Sequence, residues 1–268
     1  MLAPHLDFTP PPPDATLWRY MELWKFRAIL ETQQLYFASA ESMSGDPFEG
    51  AYPQANSVFS GAGISPERQD AARRSFDAAR QLFHRFRKEI FLSCWHMNDA
   101  ESEVLWHRYA GGDGVVIKTT GRMLANAVAI EPREFYIGQV TYLDYGSEAI
   151  PVPAGYTVYL PFLFKRREFA PDKEVRMIMH ESGIKPESNG IVSIDKTPNP
   201  PKACLVKVDP TMLIDAVVLC PGAAAAVEEE VRAIMTPFGI ANRVSRSILE
   251  QRPNWGDLPL DVAPVSET

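Results

Sequence analysis

Residues 90–119, IFLSCWHMNDAESEVLWHRYAGGDGVVIKT, decide the fold. The run from Ile90 to Trp95 is apolar and has the character of a buried strand. The glycine-rich turn at residues 111–114 interrupts the chain, and Val115 to Thr119 forms a second strand candidate. This stretch therefore predicts two short strands with a helix between them.

The helix between these strands is predicted from its start signal. Asn98 and Glu101 have the three-residue spacing of a capping box, which begins a helix by binding its free backbone amides. Trp106 and Tyr109 then lie three residues apart, so they share one helix face. We expect that face to lie beside the end of the first strand.

Towards the N-terminus, the pattern predicts a strand, a helix and a second strand between Leu17 and Ser39, with the helix over residues 22–32. Ser65 followed by Pro66 is a good helix start and opens an amphipathic helix to about Lys88.

Towards the C-terminus, short strand candidates follow without regular alternation with helices. This irregular order favours an α+β fold, a single domain with a mixed, mostly antiparallel sheet and flanking helices, over a doubly wound sheet. The later strand candidates are residues 139–144, 174–180, 190–194, 204–208 and 216–219, before a helix over residues 223–235.

The chain has no evident linker between domains. Residues 1–15 are predicted to be a proline-rich lead-in, because the run from Pro10 to Pro13 can neither form a helix nor donate to a sheet. Residues 16–250 are predicted to be a single α+β domain, and residues 251–268 a flexible C-terminal tail.

The net charge of −7 disfavours a protein that works mainly by covering nucleic-acid phosphates, which requires a broad basic face. Three scattered cysteines in apolar runs are typical of buried thiols in a reducing compartment. No segment has the roughly 20 apolar residues that span a bilayer, and no signal peptide is evident. We therefore expect a cytoplasmic protein with no membrane partner.

Arg19 is the first candidate for chemistry. Alternation along a strand directs it to the face opposite Trp18 and Tyr20, and an arginine at the mouth of a cleft can grip a phosphate or carboxylate at two points. The alternative is a structural ion pair. Tyr20 is retained as a cofactor-binding candidate.

The turn Asp46-Pro47-Phe48-Glu49 is the second candidate. Its two carboxylates can bind a metal, orient a base, or satisfy neighbouring backbone amides as an Asx turn. We assign Asp46, Phe48 and Glu49 a loop-supporting role and predict no metal.

Ser93, Trp95, Trp106 and Tyr109 form the third group. The aromatic rings can supply a wall for a purine or nicotinamide ring, and they can equally be ordinary core residues at a strand-helix corner.

Lys165, Glu174 and Arg176 form the fourth group. Glu174 and Arg176 share one strand face, and a carboxylate flanked by basic groups can polarise a ribose hydroxyl or act as a base. A structural salt bridge from Glu174 to Lys165 or Arg166 is the alternative.

Several motifs in order resemble the bacterial Domain of Unknown Function 2971 family across about residues 17–247. This resemblance implies a fold and suggests a link to defence or mobile elements, with no established activity. The motifs are LWRYM, LYFASAESMSGDPFEG, FLSCWHMNDAESEVLWHRYAGGDGVVIK, VTYLDY, FLFKRREFAPDKEVRMI and VVLCPGAA.

A looser resemblance is to the ADP-ribosyltransferase fold, at Arg19, at Ser93 or Tyr109, and at Glu174. It implies NAD as cofactor, Arg19 on the ribose or pyrophosphate, and Glu174 stabilising the ribosyl cation or activating the acceptor. The middle motif is not Ser-Thr-Ser, and Asp172 stands where a second Glu or Gln is usual.

Three functions remain open at this point. The first is an NAD-using transferase-like enzyme with catalytic Glu174 and Arg19. The second is a non-catalytic module that binds a nucleotide, peptide or nucleic-acid end. The third is a metal-dependent nuclease or hydrolase built on Asp46, Glu49 and Glu174.

Overall fold

The computed structural model describes residues 3–43, 45–57, 62–151, 158–181, 184–186, 192–194 and 201–251. The predicted C-terminal tail, apart from Gln251, and the start of the strand predicted at residues 190–194 lie outside these residues.

The described residues form short strands with helices of very different lengths. The strands are β1 (Thr16–Met21), β2 (Gln34–Ser39), β3 (Ile90–Met97), β4 (Val115–Thr120), β5 (Tyr136–Gln139), β6 (Thr141–Leu143), β7 (Phe164–Arg166), β8 (Glu174–His180), β9 (Ile184–Pro186), β10 (Val192–Ile194), β11 (Ala203–Lys207), β12 (Ala216–Leu219) and β13 (Val244–Arg246). The helices are α1 (Leu23–Thr32), α2 (Gln54–Ser57), α3 (Pro66–Glu89), α4 (Glu103–Tyr109), α5 (Gly121–Ala127), α6 (Pro210–Leu213) and α7 (Ala225–Met235).

The main sheet of the described chain has the order β11-β2-β3-β1-β4-β12-β13, with β8 also paired to β3 and β5 paired to β8. The pair β12–β13 is parallel, and the other pairs in this sheet are antiparallel. The predicted α+β domain with a mixed, mostly antiparallel sheet and flanking helices is confirmed.

β3 lies at a fork in this sheet. Along one edge it pairs with β8 over residues 90–96. Along the other edge its start pairs with β2 at Phe91 and Leu92, and its end pairs with β1 at His96 and Met97. β1 and β2 therefore share one edge of β3 and separate at residues 93–95.

Helices cover both faces of the sheet. One face, called the α1 face, packs against α1, α5 and α7 around a large core that includes Leu17, Phe26 and Trp95. The other, called the α4 face, packs against α3 and α4. Along β1, Leu17 and Met21 belong to the α1 face and Trp18 and Tyr20 to the α4 face, which is the alternation expected from the sequence.

The N-terminal residues run along the free side of β5. The amide of Ala3 donates to the Phe135 carbonyl at 2.9 Å, and the amide of Gln139 donates to the Thr9 carbonyl at 2.9 Å. Phe8 is buried between them. The proline-rich lead-in thus supplies backbone partners to β5 before β1 begins.

The start of α4 differs from the prediction. The helix begins at Glu103 with Ser102 as its cap, whose hydroxyl accepts from the Leu105 amide. The predicted capping box at Asn98 and Glu101 is wrong, because the Glu101 carboxylate instead accepts from the indole of Trp106 and from the hydroxyl of Ser247. Among the described helices, none combines the length and the apolar character needed to cross a membrane.

Candidate functional site

The sheet sorts the predicted site residues onto two faces. Trp18, His96 and Glu174 lie opposite one another across β1, β3 and β8, so their side chains project to the same face. Arg19 is the neighbour of Trp18 and therefore projects to the other face. The two residues predicted to be catalytic, Arg19 and Glu174, lie on opposite sides of the sheet.

Arg19 lies at the fork, on the α1 face. Its Nη1 donates to Ser93 Oγ at 2.7 Å, and its Nη2 donates to the carbonyl of Tyr36 on β2 at 3.1 Å. The guanidinium carbon lies 5.5 Å from the ring centroid of Trp95. Arg19 thereby bridges the gap between β1 and β2 across β3.

Ser93 holds this arrangement together. Its oxygen accepts from Arg19 and also from the indole of Trp95 at 3.2 Å. A hydroxyl oxygen has two lone pairs, so both are used and the hydroxyl proton remains for a further acceptor. Ser93 and Trp95 are buried, whereas Arg19 is half-buried.

The charge of Arg19 is not matched by an acid in the part of the chain that the structure describes. Its hydrogen bonds there go to a neutral hydroxyl and a neutral carbonyl. Burial lowers the pKa of Arg19 to about 10, since the charged form loses solvation, with a small opposing effect from Cys94. The guanidinium still carries its charge at neutral pH.

Arg176 occupies the centre of a second assembly, on the α4 face. Its Nη1 and Nη2 donate to the two carboxylate oxygens of Glu49 at 2.6 and 2.9 Å, and its Nε donates to Glu174 at 2.7 Å. Nη1 also donates to the carbonyl of Phe162 at 2.6 Å. Arg176 is fully buried, so this fork of donors is shielded from water.

The assembly continues from Glu174 to the surface. Lys165 Nζ donates to Glu174 at 2.8 Å and lies 4.0 Å from Asp172 Oδ2. Arg108 reaches the other oxygen of Asp172 at 2.6 Å. We call the chain of charges Glu49, Arg176, Glu174, Lys165, Asp172 and Arg108 the ion-pair array.

Charge and burial act against each other in the array. Burial opposes ionisation of Glu174, but the charges of Arg176 and Lys165 outweigh it and hold the pKa of Glu174 below its ordinary value. For Glu49, burial together with the nearby charge of Glu174 outweighs Arg176, and its pKa is raised. Glu174 is thus an ionised carboxylate whose two oxygens are already bound by cations.

The turn at residues 46–50 supports this array. The Phe48 amide donates to Asp46 Oδ1 at 3.0 Å, which is the Asx turn considered from the sequence. Arg166 pairs with Asp46 at 2.9 Å and lies over the Phe48 ring at 4.8 Å. Gly50 has a φ of 66°, a left-handed conformation that favours glycine, and Glu49 before it is buried.

The aromatic candidates separate by exposure. Trp106 is 3% exposed and packs edge-on against Tyr20, whose phenol oxygen accepts from the Ser102 amide at 2.8 Å. Tyr109 is 37% exposed and lies 5.4 Å from the His96 ring, measured between centroids. Trp106 and Tyr20 are core residues, and Tyr109 alone of the three faces solvent beside the array.

Two members of the array are not among the site residues selected from the sequence. Arg108 sits on α4 and Asp172 at the end of a 3-10 helix, and Lys173, with a φ of 43°, separates Asp172 from β8. Because Lys173 has a left-handed conformation, β8 does not extend back to Asp172. The two-residue period of a strand therefore could not place Asp172 beside Glu174. The only signal was a carboxylate two positions before Glu174.

Within the described residues, no group of three or more His, Cys, Asp or Glu side chains is placed to hold a metal ion. Glu49 and Glu174, the two acids of the metal hypothesis that do come together, have the guanidinium of Arg176 between them.

The fold and these contacts define an α+β protein with a forked central sheet, an arginine at the fork and an ion-pair array on the opposite face. Comparison with models of protein families, with curated proteins and with solved structures finds no match to this chain. The resemblances drawn from the sequence motifs therefore stay predictions.

Proposed function

We propose that this chain binds a phosphate-bearing ligand of the nucleotide class at the fork, with Arg19 as the group that holds the phosphate. The observation that carries the proposal is the charge of Arg19, which has no carboxylate partner among the described residues. NAD is the first ligand to test, because the ADP-ribosyltransferase resemblance implies it.

The physical argument concerns an unmatched charge. A guanidinium has five N–H donors, and two of those of Arg19 are used by Ser93 and Tyr36. An anion that accepts from the remaining donors would restore the solvation lost on burial. The free hydroxyl proton of Ser93 supplies a further donor beside it.

The proposal is of binding and does not extend to transfer of a group. A transferase of the expected kind needs a carboxylate beside the bound ribose. Glu174 faces away from Arg19, and its oxygens are bound by Arg176 and Lys165. The nucleotide-binding module is accordingly the alternative that the geometry supports best.

The experiment is a thermal-shift titration of the wild type with NAD, ADP-ribose, ATP and pyrophosphate. A ligand present at 100 times its dissociation constant stabilises the native state by about 2.7 kcal/mol. For a chain of this size, that corresponds to a rise in Tm of roughly 5–10 °C. Each variant is compared with its own ligand-free Tm, so a change in basal stability does not affect the result.

Two variants locate the site. Arg19→Gln should remove the shift, and Arg122→Gln should keep it, because Arg122 is an exposed arginine paired with Asp14 elsewhere. Equal shifts in both variants would overturn the proposal. A shift with pyrophosphate alone would show that the phosphate is recognised without the base, and release of nicotinamide from NAD would show that a reaction also occurs.

A further inference from the structure

A groove of about 460 Å³ opens beside α4, on the face opposite Arg19. Trp106 and Leu249 contribute apolar surface to it, and the Gly111-Gly112 turn and Cys220 also line it. Gly111 has a φ of 64°, which turns the chain sharply after α4. The volume lies within the roughly 300–1,000 Å³ range of small-molecule sites.

The groove has a fixed floor. Cys220 Sγ contacts the carbonyl of Gly111 at 3.2 Å, and the Cys220 amide donates to the carbonyl of Gly114 at 3.0 Å. Leu249 also lines the groove and remains 45% exposed, although it is a large apolar side chain. The groove therefore presents apolar surface that this part of the chain does not cover.

Acidic side chains surround this apolar surface. Glu103 lines the groove, and its side chain is 79% exposed. Asp113 and Glu250 directly follow Gly112 and Leu249, which line the groove, so the chain places both acids at its edge. One carboxylate thus lines the groove, and two more lie at its edge.

Among the residues that the structure describes, the positive charge near the groove is small. His107 Nε2 lies 3.9 Å from the Glu103 carboxylate, and both side chains are exposed. Arg246 approaches Glu250 at 3.6 Å but lies closer to Glu228, at 3.1 Å. The groove consequently combines an apolar lining with a net negative rim.

We propose that this groove binds a linear aliphatic polyamine. Such a molecule carries several ammonium groups separated by methylene segments. Its charges match carboxylates that are spaced around an apolar floor, and its methylenes can cover Leu249 and the edge of Trp106. A single lysine side chain of a peptide offers one charge and matches one of the three acids.

The test is calorimetric titration of the full chain with spermidine, at low ionic strength because exposed charges are screened by salt. 1,8-Octanediol is the neutral probe of similar length. Saturable binding of spermidine, no binding of the diol, and amide NMR shifts concentrated at His107, Gly111, Gly112 and Leu249 are expected.

A matched pair of double variants separates this site from general attraction to a chain of net charge −7. Glu103→Gln with Asp113→Asn should weaken spermidine binding roughly tenfold. Asp14→Asn with Glu41→Gln removes the same charge from exposed positions elsewhere and should leave the affinity unchanged. Leu249→Arg, which places a cation in the groove, should abolish binding.

Three results would overturn the proposal. Equal weakening in the two double variants would show that the attraction is diffuse. Binding of the diol as tight as that of spermidine would show an apolar site without charge selection. Tighter binding of a lysine-containing peptide than of spermidine would assign the groove to a protein partner. The nucleotide titration tests Arg19, which lies on the opposite face of the sheet. Either proposal can therefore fail while the other holds.

Discussion

Arg176→Met should lower the free energy of unfolding by about 3–5 kcal/mol, the usual effect of removing one partner from a buried ion pair. The arginine is fully buried, and its loss leaves Glu49, one oxygen of Glu174 and the Phe162 carbonyl without their donor. Methionine fills much of the volume, so the loss reports charge and hydrogen bonding. For a chain of this size, Tm should fall by roughly 6–20 °C.

The dependence of this loss on pH tests the electrostatic explanation. Without Arg176, burial raises the pKa of Glu49 in the folded chain further above about 4.3, the value for an unfolded glutamate, and Glu174 loses one of the two cations that lower its pKa. A carboxyl group whose pKa is raised by folding destabilises the fold at pH values above its pKa in the unfolded chain, and not at pH values below it. The gap between variant and wild type should therefore be widest near pH 7 and shrink towards pH 4.

Urea unfolding followed by circular dichroism at several pH values between 4 and 8 measures both effects. Arg122→Met is the control, because it breaks an exposed pair with Asp14 and should change the free energy of unfolding little. A loss below about 1 kcal/mol, or a gap that stays constant down to pH 4, would refute the account of the array as a buried charge network.

Three further outcomes are expected. In urea unfolding, Gly50→Ala should destabilise the fold by more than about 1 kcal/mol, because the added Cβ would lie 2.2 Å from the buried ring of Phe162. The control is Gly63→Ala, where the added Cβ meets open space and only the strain of the positive φ remains. Cys94, whose pKa is raised well above its ordinary value by burial, should be alkylated by iodoacetamide more slowly than Cys204, which mass spectrometry would reveal. Burial raises the pKa of Tyr20 to about 12, so stability should fall as pH rises from about 10 to 12, and Tyr20→Phe should reduce that fall, as measured by unfolding at each pH.

The local elements of this fold were readable from the sequence because their signals are local. The spacing of apolar residues between Leu17 and Ser39 changes from that of a strand to that of a helix and back, and β1, α1 and β2 agree with this pattern. Likewise, α3 begins at Pro66, where the serine-proline start signal lies. The predicted cap at Asn98 failed for a tertiary reason. Glu101 binds the side chain of Ser247 from the far end of the chain, which no local pattern records.

The site was harder to predict because its geometry depends on strand neighbours. Sequence alternation correctly placed Arg19 opposite its aromatic neighbours on β1 and placed Glu174 with Arg176 on β8. It could not relate the two strands, because the face shared by Glu174 and Trp18 is set by the register of β3 between them. The sequence therefore indicated the chemistry of each side chain, but it did not indicate which side chains would contact one another.

The fork at β3 also has a consequence for the order of folding. β1, α1 and β2 are contiguous in the chain, yet the strand that lies between β1 and β2 begins only at Ile90, and its other neighbour only at Glu174. During synthesis from the N-terminus, the first two strands are made long before the strand that joins them. Distant pairings of this kind slow folding and leave strand edges open, so the nascent chain should depend on protection from aggregation until β8 has emerged.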